Sequence, residues 1–339
     1  MLCCFIPPQI FQRIAITGNA EQQRIAFQNL LAAAEIRGER KVMVSVAPRI
    51  VVAPGEKRRT VYDAQNGMTL PGKLVRSEGN KASNDKSVNE AYDGTGKVYD
   101  FFLNVFERNS IDNKGMRLES TVHYRNKFAN AFWNGQQMVF GDGDGEIFNR
   151  FTRQIDIIGH ELTHGITEFE SGLHYSGQSG ALNESLSDVF GSLVKQYVRK
   201  ETADKADWLI GGGLFTKKVH GVAIRSMKAP GTAFDDDLIG KDEQPAHMDD
   251  YVETSDDNGG VHINSGIPNK AFYNLAVDLG GNSWEAAGRI WYETLLQKLG
   301  TSATFERFAG MTIEAAGKLF GMRSKEQKAT QSAWSDVGV

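Results

Sequence analysis

The segment 160–164, His-Glu-Leu-Thr-His, constrains this chain more than any other stretch. It lies in a run, residues 154–168, that the spacing of apolar positions predicts to be one helix. At about 100° per residue, His160 and His164 stand about 40° apart, one turn above the other. Two imidazoles placed this way can grip one metal ion from the same side. Glu161 lies about 100° round from His160, where it reaches a water on that metal rather than the metal itself. This is the H-E-x-x-H zinc pattern, two ligands and a general base. Ile155, Ile158, Leu162 and Ile166 form a second stripe roughly opposite the histidines. A helix apolar on one side and carrying histidines on the other is expected between two layers rather than on a surface. A lone histidine in such a helix is commonly a satisfied core residue; a pair with Glu161 between them argues against that reading.

The rest of the chain narrows the setting. Its 339 residues, 40% of them hydrophobic, are enough for a large core and for two or three domains. A net charge of −4 gives no electrostatic footprint for nucleic acid or an anionic membrane. No apolar run approaches the length of a transmembrane helix. The only cysteines are the neighbours Cys3 and Cys4, so no disulfide framework is encoded. Residues 1–6 are apolar but follow no basic residue, and Pro7-Pro8 interrupts them, unlike an ordinary signal peptide.

Taken in order, residues 11–37 predict helix with a break at Gly18, and Ala26, Leu30, Leu31, Ala34 and Ile36 supply its apolar stripe. Residues 41–52, broken by Pro48, read as an extended connector. Turn signals between 55 and 75 predict strands and hairpins. A helix is expected from Gly96 onward, then strands at 120–124, 130–135 and 138–141. Residues 181–200 predict a second long helix, with Leu182, Leu186, Val189, Leu193 and Tyr197 facing the core. Glu184 and Asp188 lie one turn apart on its other face. They form either a solvated acidic face or a pair held beside something positive, such as a metal and its histidines. Residues 201–262 are loop-rich, and the remainder is mainly helical.

HELTH at 160–164, GALNESLSD at 180–188 and DNGGVHINSG at 257–266, with NAFWNG at 130–135 and DGDG at 142–145, resemble the thermolysin-like zinc metalloproteases in order and spacing. Pro7-Pro8 and PAHMDDY at 245–251 look most like the protealysin branch, whose members carry a short propeptide. The resemblance implies an α+β fold of two lobes: β-rich first, mainly α-helical second, the zinc helix between them, a small helical propeptide in front. The divisions expected are 1–50, 51–168 and 169–339. It implies an endopeptidase that cuts on the amino side of large hydrophobic residues by a zinc-bound water, and is made as a precursor. Position by position, His160, His164 and Glu184 match the ligands of one zinc ion, and Glu161 the general base. Asp188 matches the carboxylate that orients a zinc-bound histidine. Tyr175 and His262 match the oxyanion pair, with Asp257 orienting His262. Arg225 matches the arginine that holds the substrate backbone, and Asn130 and Ala131 the edge to which a peptide adds as a strand. Ile157, Ile210 and Ile224 fall where the pocket after the scissile bond would be lined.

The resemblance departs at the family's double calcium site. Asp156 and Asp207 survive, but the other matching positions are Lys195, Leu209 and Gly212, so loss of that site is expected. The expected partners are peptides or proteins and the propeptide bound to its own catalytic unit, in a monomer that engages neither nucleic acid nor membrane. Secretion is implied by the family, with a cytoplasmic location as the alternative given the N-terminus. Two other functions are compatible with an H-E-x-x-H helix. A zinc exopeptidase would carry a G-A-M-E-N-type stretch, which is absent from the sequence. A non-catalytic relative would have lost Glu161, Glu184 or His262, and all three are present. Residues 1–50 are either a plain helical subdomain or an inhibitory propeptide removed by cleavage between 45 and 53. Cys3 and Cys4 either pack that segment or offer a thiolate to zinc.

Overall fold

The structure is a computed structural model that describes residues 4–39 and 52–339. The chain opens with two helices, α1 (Pro8–Thr17) and α2 (Ala20–Glu39). Pro8 does not break a helix there. It occupies the first turn, where a missing N–H costs nothing. The break at Gly18 is where the sequence put it. The α2 stripe is displaced: Ile25, Ala26, Asn29, Ala32, Ala33 and Ile36 are buried, whereas Leu31 and Ala34 are exposed. Alanine and leucine lie all round this helix, so apolar character alone does not choose its inner face. The expected connector, all but Val52, lies outside the described residues, as does Cys3.

The first lobe holds a five-stranded sheet: β1 (Arg59–Asp63), β2 (Lys73–Ser77), β3 (Leu118–Val122), β4 (Ala131–Trp133) and β5 (Met138–Phe140), in the order β2-β1-β3-β5-β4. β1, β3 and β5 run parallel; β2 and β4 are antiparallel edges. Against it packs α3 (Lys86–Phe106), which starts ten residues before the expected Gly96. Asp85 caps it by accepting from Ser87 N and Val88 N. Gly94 and Gly96 look like breakers in the sequence but are contact points. A Cβ on Gly94 would collide with Ile158 of the next helix.

That helix is α4 (Ile155–Glu170), and α5 (Gly177–Arg199) crosses it. The crossing is close because it is made by glycine: a Cβ on Gly159 would lie 3.0 Å from the Gly191 Cα, and one on Gly191 would lie 2.5 Å from the Asp156 carbonyl. Every residue from 156 to 167 of α4 is buried, as expected of a helix between two layers. After α5 come a short ribbon, β6 (Leu209–Ile210) with β7 (Arg225–Ser226), and the helices α6 (Asp257–Asn264), α7 (Gly266–Leu279), α8 (Ala286–Leu295), α9 (Phe305–Phe320) and α10 (Lys325–Ser335). The second lobe is therefore helical, and α4 and α5 form the floor between the lobes.

Candidate active site

The floor gathers the groups that the sequence spread over about a hundred residues. His160 and His164 project from α4, and Glu184 from α5. One ligand atom from each lies within 4.8 Å of the others, and all three residues are buried. His160 Nδ1 faces Asp188 Oδ1 at 2.8 Å, and His164 Nδ1 faces Asn183 Oδ1 at 2.8 Å. Those acceptors take the Nδ1 protons, which leaves both Nε2 atoms as lone pairs. The two lone pairs face each other at 3.0 Å, and each lies 3.5 Å from a Glu184 oxygen. Glu184 Oε2 has no hydrogen-bond partner. Two bare imidazole nitrogens and a carboxylate, converging in a buried space, repel one another unless a cation sits between them. The donor set of two nitrogens and one oxygen is that of a catalytic zinc site with one position open. The alternative of a solvated acidic face on α5 is overturned, since Glu184 and Asp188 are both fully buried.

Burial pushes the Glu184 carboxyl up, but the positive charges around it, that of His262 first and Arg225 with it, outweigh burial and hold it at about 2. Burial drives His164 down to about 3, so its imidazole is neutral and ready to ligate. Asp188 is also held well below the usual carboxylate range despite burial. Arg225 donates to it through Nε and Nη2, each at 2.8 Å, and Asn269 adds a third bond at 2.9 Å.

Glu161 is buried beside the ligands. Its Oε2 accepts from the Trp133 backbone N–H at 3.0 Å, and its Oε1 has no partner. Burial and the Glu184 charge raise its carboxyl well above the ordinary value, the environment of a base that must take and return a proton. His262 approaches from α6. Its Nδ1 lies 2.7 Å from Asp257 Oδ1, and its backbone N–H donates to Asp257 Oδ2 at 2.8 Å. This double grip requires the chain to curl tightly, and residues 257–260 all have positive φ, two of them glycines. Burial opposes the charge on His262, but Asp257 and Glu184 raise it to about 9. The Tyr175 hydroxyl lies 3.4 Å from His262 Nε2 and donates to Glu184.

The cleft is occupied by the start of the chain itself. Phe5 N–H donates to the Ala131 carbonyl at 3.2 Å on the free edge of β4. Ile6 N–H donates to Asn130 Oδ1 at 3.0 Å. Arg225 Nη1 donates to the Phe5 carbonyl at 3.1 Å, and His262 Nε2 contacts the Cys4 carbonyl at 3.0 Å. The Phe5 ring stands 5.2 Å from the His160 ring, edge to face, with the Arg225 guanidinium 4.7 Å from its centre. Ile157, Ile210 and Ile224 are all buried in this region, and a Cβ on Gly211 would lie 3.0 Å from Ile224 and 3.2 Å from the Phe5 ring. Among the described residues the metal-ligating cluster consists of His160, His164 and Glu184, and Cys4 places its carbonyl oxygen against His262.

Comparison with known proteins agrees with this geometry. Residues 51–168 match the family model described as thermolysin metallopeptidase, catalytic domain, and residues 171–339 the one described as its alpha-helical domain. An extracellular metalloprotease of Pectobacterium carotovorum subsp. carotovorum is 53% identical over 100% of this chain and 96% of its own length. The chain belongs to the thermolysin metallopeptidase family. Within that family, Protease PrtS of a Photorhabdus species is 54% identical over 83% of this chain and 76% of its own. The solved precursor of protealysin, a metalloproteinase from Serratia proteamaculans, superposes with a TM-score of 0.92. It covers 99% of each chain at 54% identity. This chain is thus a zinc metalloprotease in precursor form, with the two-lobed fold of the family.

Several residues at the thermolysin-type site escaped the sequence reading. Trp133 acts through its backbone, which carries no side-chain signal. Asn183, Ser187 and Asn269 are helical neighbours that hold His164 and Asp188. Phe5 was visible only as one residue in an apolar start. Asn183 and Ser187 had a cue, each standing one residue before a site carboxylate, Glu184 and Asp188, in the stretch 180–188.

Proposed function

We propose that Glu161 is the general base of peptide hydrolysis, that His262 and Tyr175 stabilise the developing oxyanion, and that Asp257 and Asp188 orient His262 and His160. The observation that carries this reading is the Glu161 Oε1 atom, unpartnered and buried beside three converging ligand atoms. His160, His164 and Glu184 would hold the single zinc ion, which when bound polarises water and substrate carbonyl as a Lewis acid. Asn130, Ala131 and Arg225 bind the peptide main chain. The apolar surroundings of Ile157, Ile210 and Ile224 select a large hydrophobic residue after the scissile bond. The seat of Phe5 supports that preference.

The finer assignments extend to the whole chain. Residues 1–50 act as the inhibitory propeptide, and 51–168 and 169–339 as the two catalytic lobes, with cleavage between 45 and 53, mostly outside the described residues. The mature enzyme works as a secreted monomer on peptides and proteins. The extracellular relative supports secretion, and no described helix is long and apolar enough to cross a membrane. Calcium has no role at the matching double site, where Lys195 Nζ lies 2.6 Å from Asp207 and 3.3 Å from Asp156 and supplies the positive charge itself.

The test replaces Glu161→Ala in the full chain, activated by limited proteolysis. Zinc content measured by metal analysis should stay at one per chain, while hydrolysis of a leucine-containing peptide falls roughly 10²-fold or more. Unchanged turnover would remove Glu161 from the mechanism.

A further inference from the structure

The peptide in the cleft is seated as a substrate, not merely as a plug. Each of the four main-chain contacts described at residues 4–6 falls on the group proposed to hold the equivalent atom of a substrate. The Cys4 carbonyl lies on His262 Nε2, where the oxyanion develops. The Phe5 N–H faces the Ala131 edge, the Phe5 carbonyl takes Arg225, and the Ile6 N–H takes Asn130. The residue after the Cys4–Phe5 bond is large and apolar, and its ring packs against His160. A blocking segment laid in the reverse direction, or one residue out of register, would not put a carbonyl on His262 and a phenyl ring in the apolar pocket together.

We propose that the Cys4–Phe5 peptide bond is cut by the chain's own active site, in cis, and that the downstream segment stays in the cleft as a retained product that keeps the enzyme silent. This rests on the catalytic roles given above. The step consumes one water. Its oxygen bonds to the Cys4 carbonyl carbon, its proton passes through Glu161 to the Phe5 nitrogen, and the C–N bond breaks. The products are a Cys4 carboxyl and a Phe5 amine, which exchange a proton to end as carboxylate and ammonium. No other reactant is needed.

Retention follows from where the contacts lie. Of the main-chain contacts described above, the one at the Cys4 carbonyl belongs to the upstream fragment. The contacts to Ala131, Arg225 and Asn130 and the Phe5 ring belong to the downstream one. That fragment continues into α1, whose Ile10, Phe11 and Ile14 are buried in the main core. Release of the new amino terminus is therefore opposed by a tether that returns it at high effective concentration.

The full-length chain, purified free of metal and then given zinc, tests this by intact mass and N-terminal sequencing over time. A form beginning at Phe5 should accumulate with a first-order rate unchanged by roughly 100-fold dilution, since the step is intramolecular. It should remain silent on a leucine-containing peptide. Glu161→Ala should slow the cut roughly 10²-fold or more, and Phe5→Ala about tenfold or more, with Phe5→Leu close to the native rate.

A second readout needs no metal. In a Cys3→Ser chain, the buried Cys4 thiol should react slowly with a thiol reagent, and much faster when Phe5→Asp unseats the segment. If the chain hydrolyses peptides after limited proteolysis but never yields a Phe5 terminus, this proposal is overturned and the catalytic assignment stands. If neither reaction occurs, both fall. Reaction of Cys4 at the rate of the unfolded chain overturns the seat, and peptide hydrolysis that rises in step with the cut overturns retention.

Discussion

His262 and Lys195 show how one side chain can carry a function that its neighbours prepare. His262 is gripped twice by Asp257 and faces the carbonyl that stands where an oxyanion would form. An interaction of that kind strengthens as charge develops. His262→Ala should therefore lower kcat by roughly 10²-fold with little change in KM, measured by steady-state peptide hydrolysis after activation. A change confined to KM would make it a ground-state binding residue. Lys195 is buried with Asp156, which also accepts from the Gly211 N–H at 3.0 Å. Removing the lysine leaves a buried carboxylate without its cation. Lys195→Ala should cost about 3–5 kcal/mol in denaturant unfolding. For the native chain, millimolar calcium should leave the Tm unchanged. A large calcium-dependent rise abolished by Asp156→Ala would mean that an ion competes successfully with the lysine.

At the scale of elements, α3 is tied to the sheet end by an imidazole between two carboxylates. His123 Nε2 lies 2.7 Å from Asp85, the cap of α3, and its Nδ1 lies 2.7 Å from Asp142 in the glycine-rich turn after β5. Asp142, against burial and with help from Asp85, raises His123 to about 9. Because the folded value lies above the ordinary 6.5, the stabilisation is complete below about pH 6.5 and is lost as pH rises through about 9. Its size is of order 1–3 kcal/mol. The Tm should fall between pH 7 and 9.5, and His123→Gln should flatten that fall; identical profiles would show the bridge to be neutral. None of this cluster was legible in the sequence, since its three members lie in separate segments and imply no common chemistry. The metal helix was legible because its ligands share one element and its periodicity survives in the structure. Asp257 was legible only through resemblance, and helical spacing alone left Asp188 as one of an acidic pair, either solvated or held beside a metal. Their spacing to the groups they orient is set by the Gly159–Gly191 crossing and by the left-handed curl at 257–260. The early start of α3 was hidden because Gly94 and Gly96 look like breakers until the helix they touch is known.

Across the whole molecule, the N-terminal segment bridges both lobes as well as filling the cleft. In α2, Asn29 accepts from the Ala129 N–H at 2.8 Å, and Glu21 and Glu35 pair with Lys127 and Arg125 of the first lobe. In α1, Thr17 donates to the Leu238 carbonyl of the second lobe at 2.8 Å. Between these ends, Phe5, Ile6, Ile10, Phe11, Ile14 and Ala26 join the main core of the catalytic lobes. The exposed ion pairs add little, so the hold on the cleft is chiefly apolar. Phe11 is the side chain on which to test this. It is buried, and its ring stands 5.9 Å from the Phe148 ring of the first lobe. Truncating a buried phenylalanine costs about 3–5 kcal/mol. Most of that loss falls on the docked state, because the undocked segment exposes the ring. With each 1.4 kcal/mol worth about tenfold, the undocked fraction should rise roughly 10²-fold or more. Phe11→Ala should then give measurable peptidase activity to zinc-loaded protein in which α1 and α2 are still joined to the catalytic lobes, the connector being shown to be intact by mass spectrometry. Ile16→Ala, an exposed position on the same helix, should stay as silent as the native chain. Silence in both variants would mean that the polar main-chain contacts at residues 4–6 hold the cleft closed without help from the apolar interface.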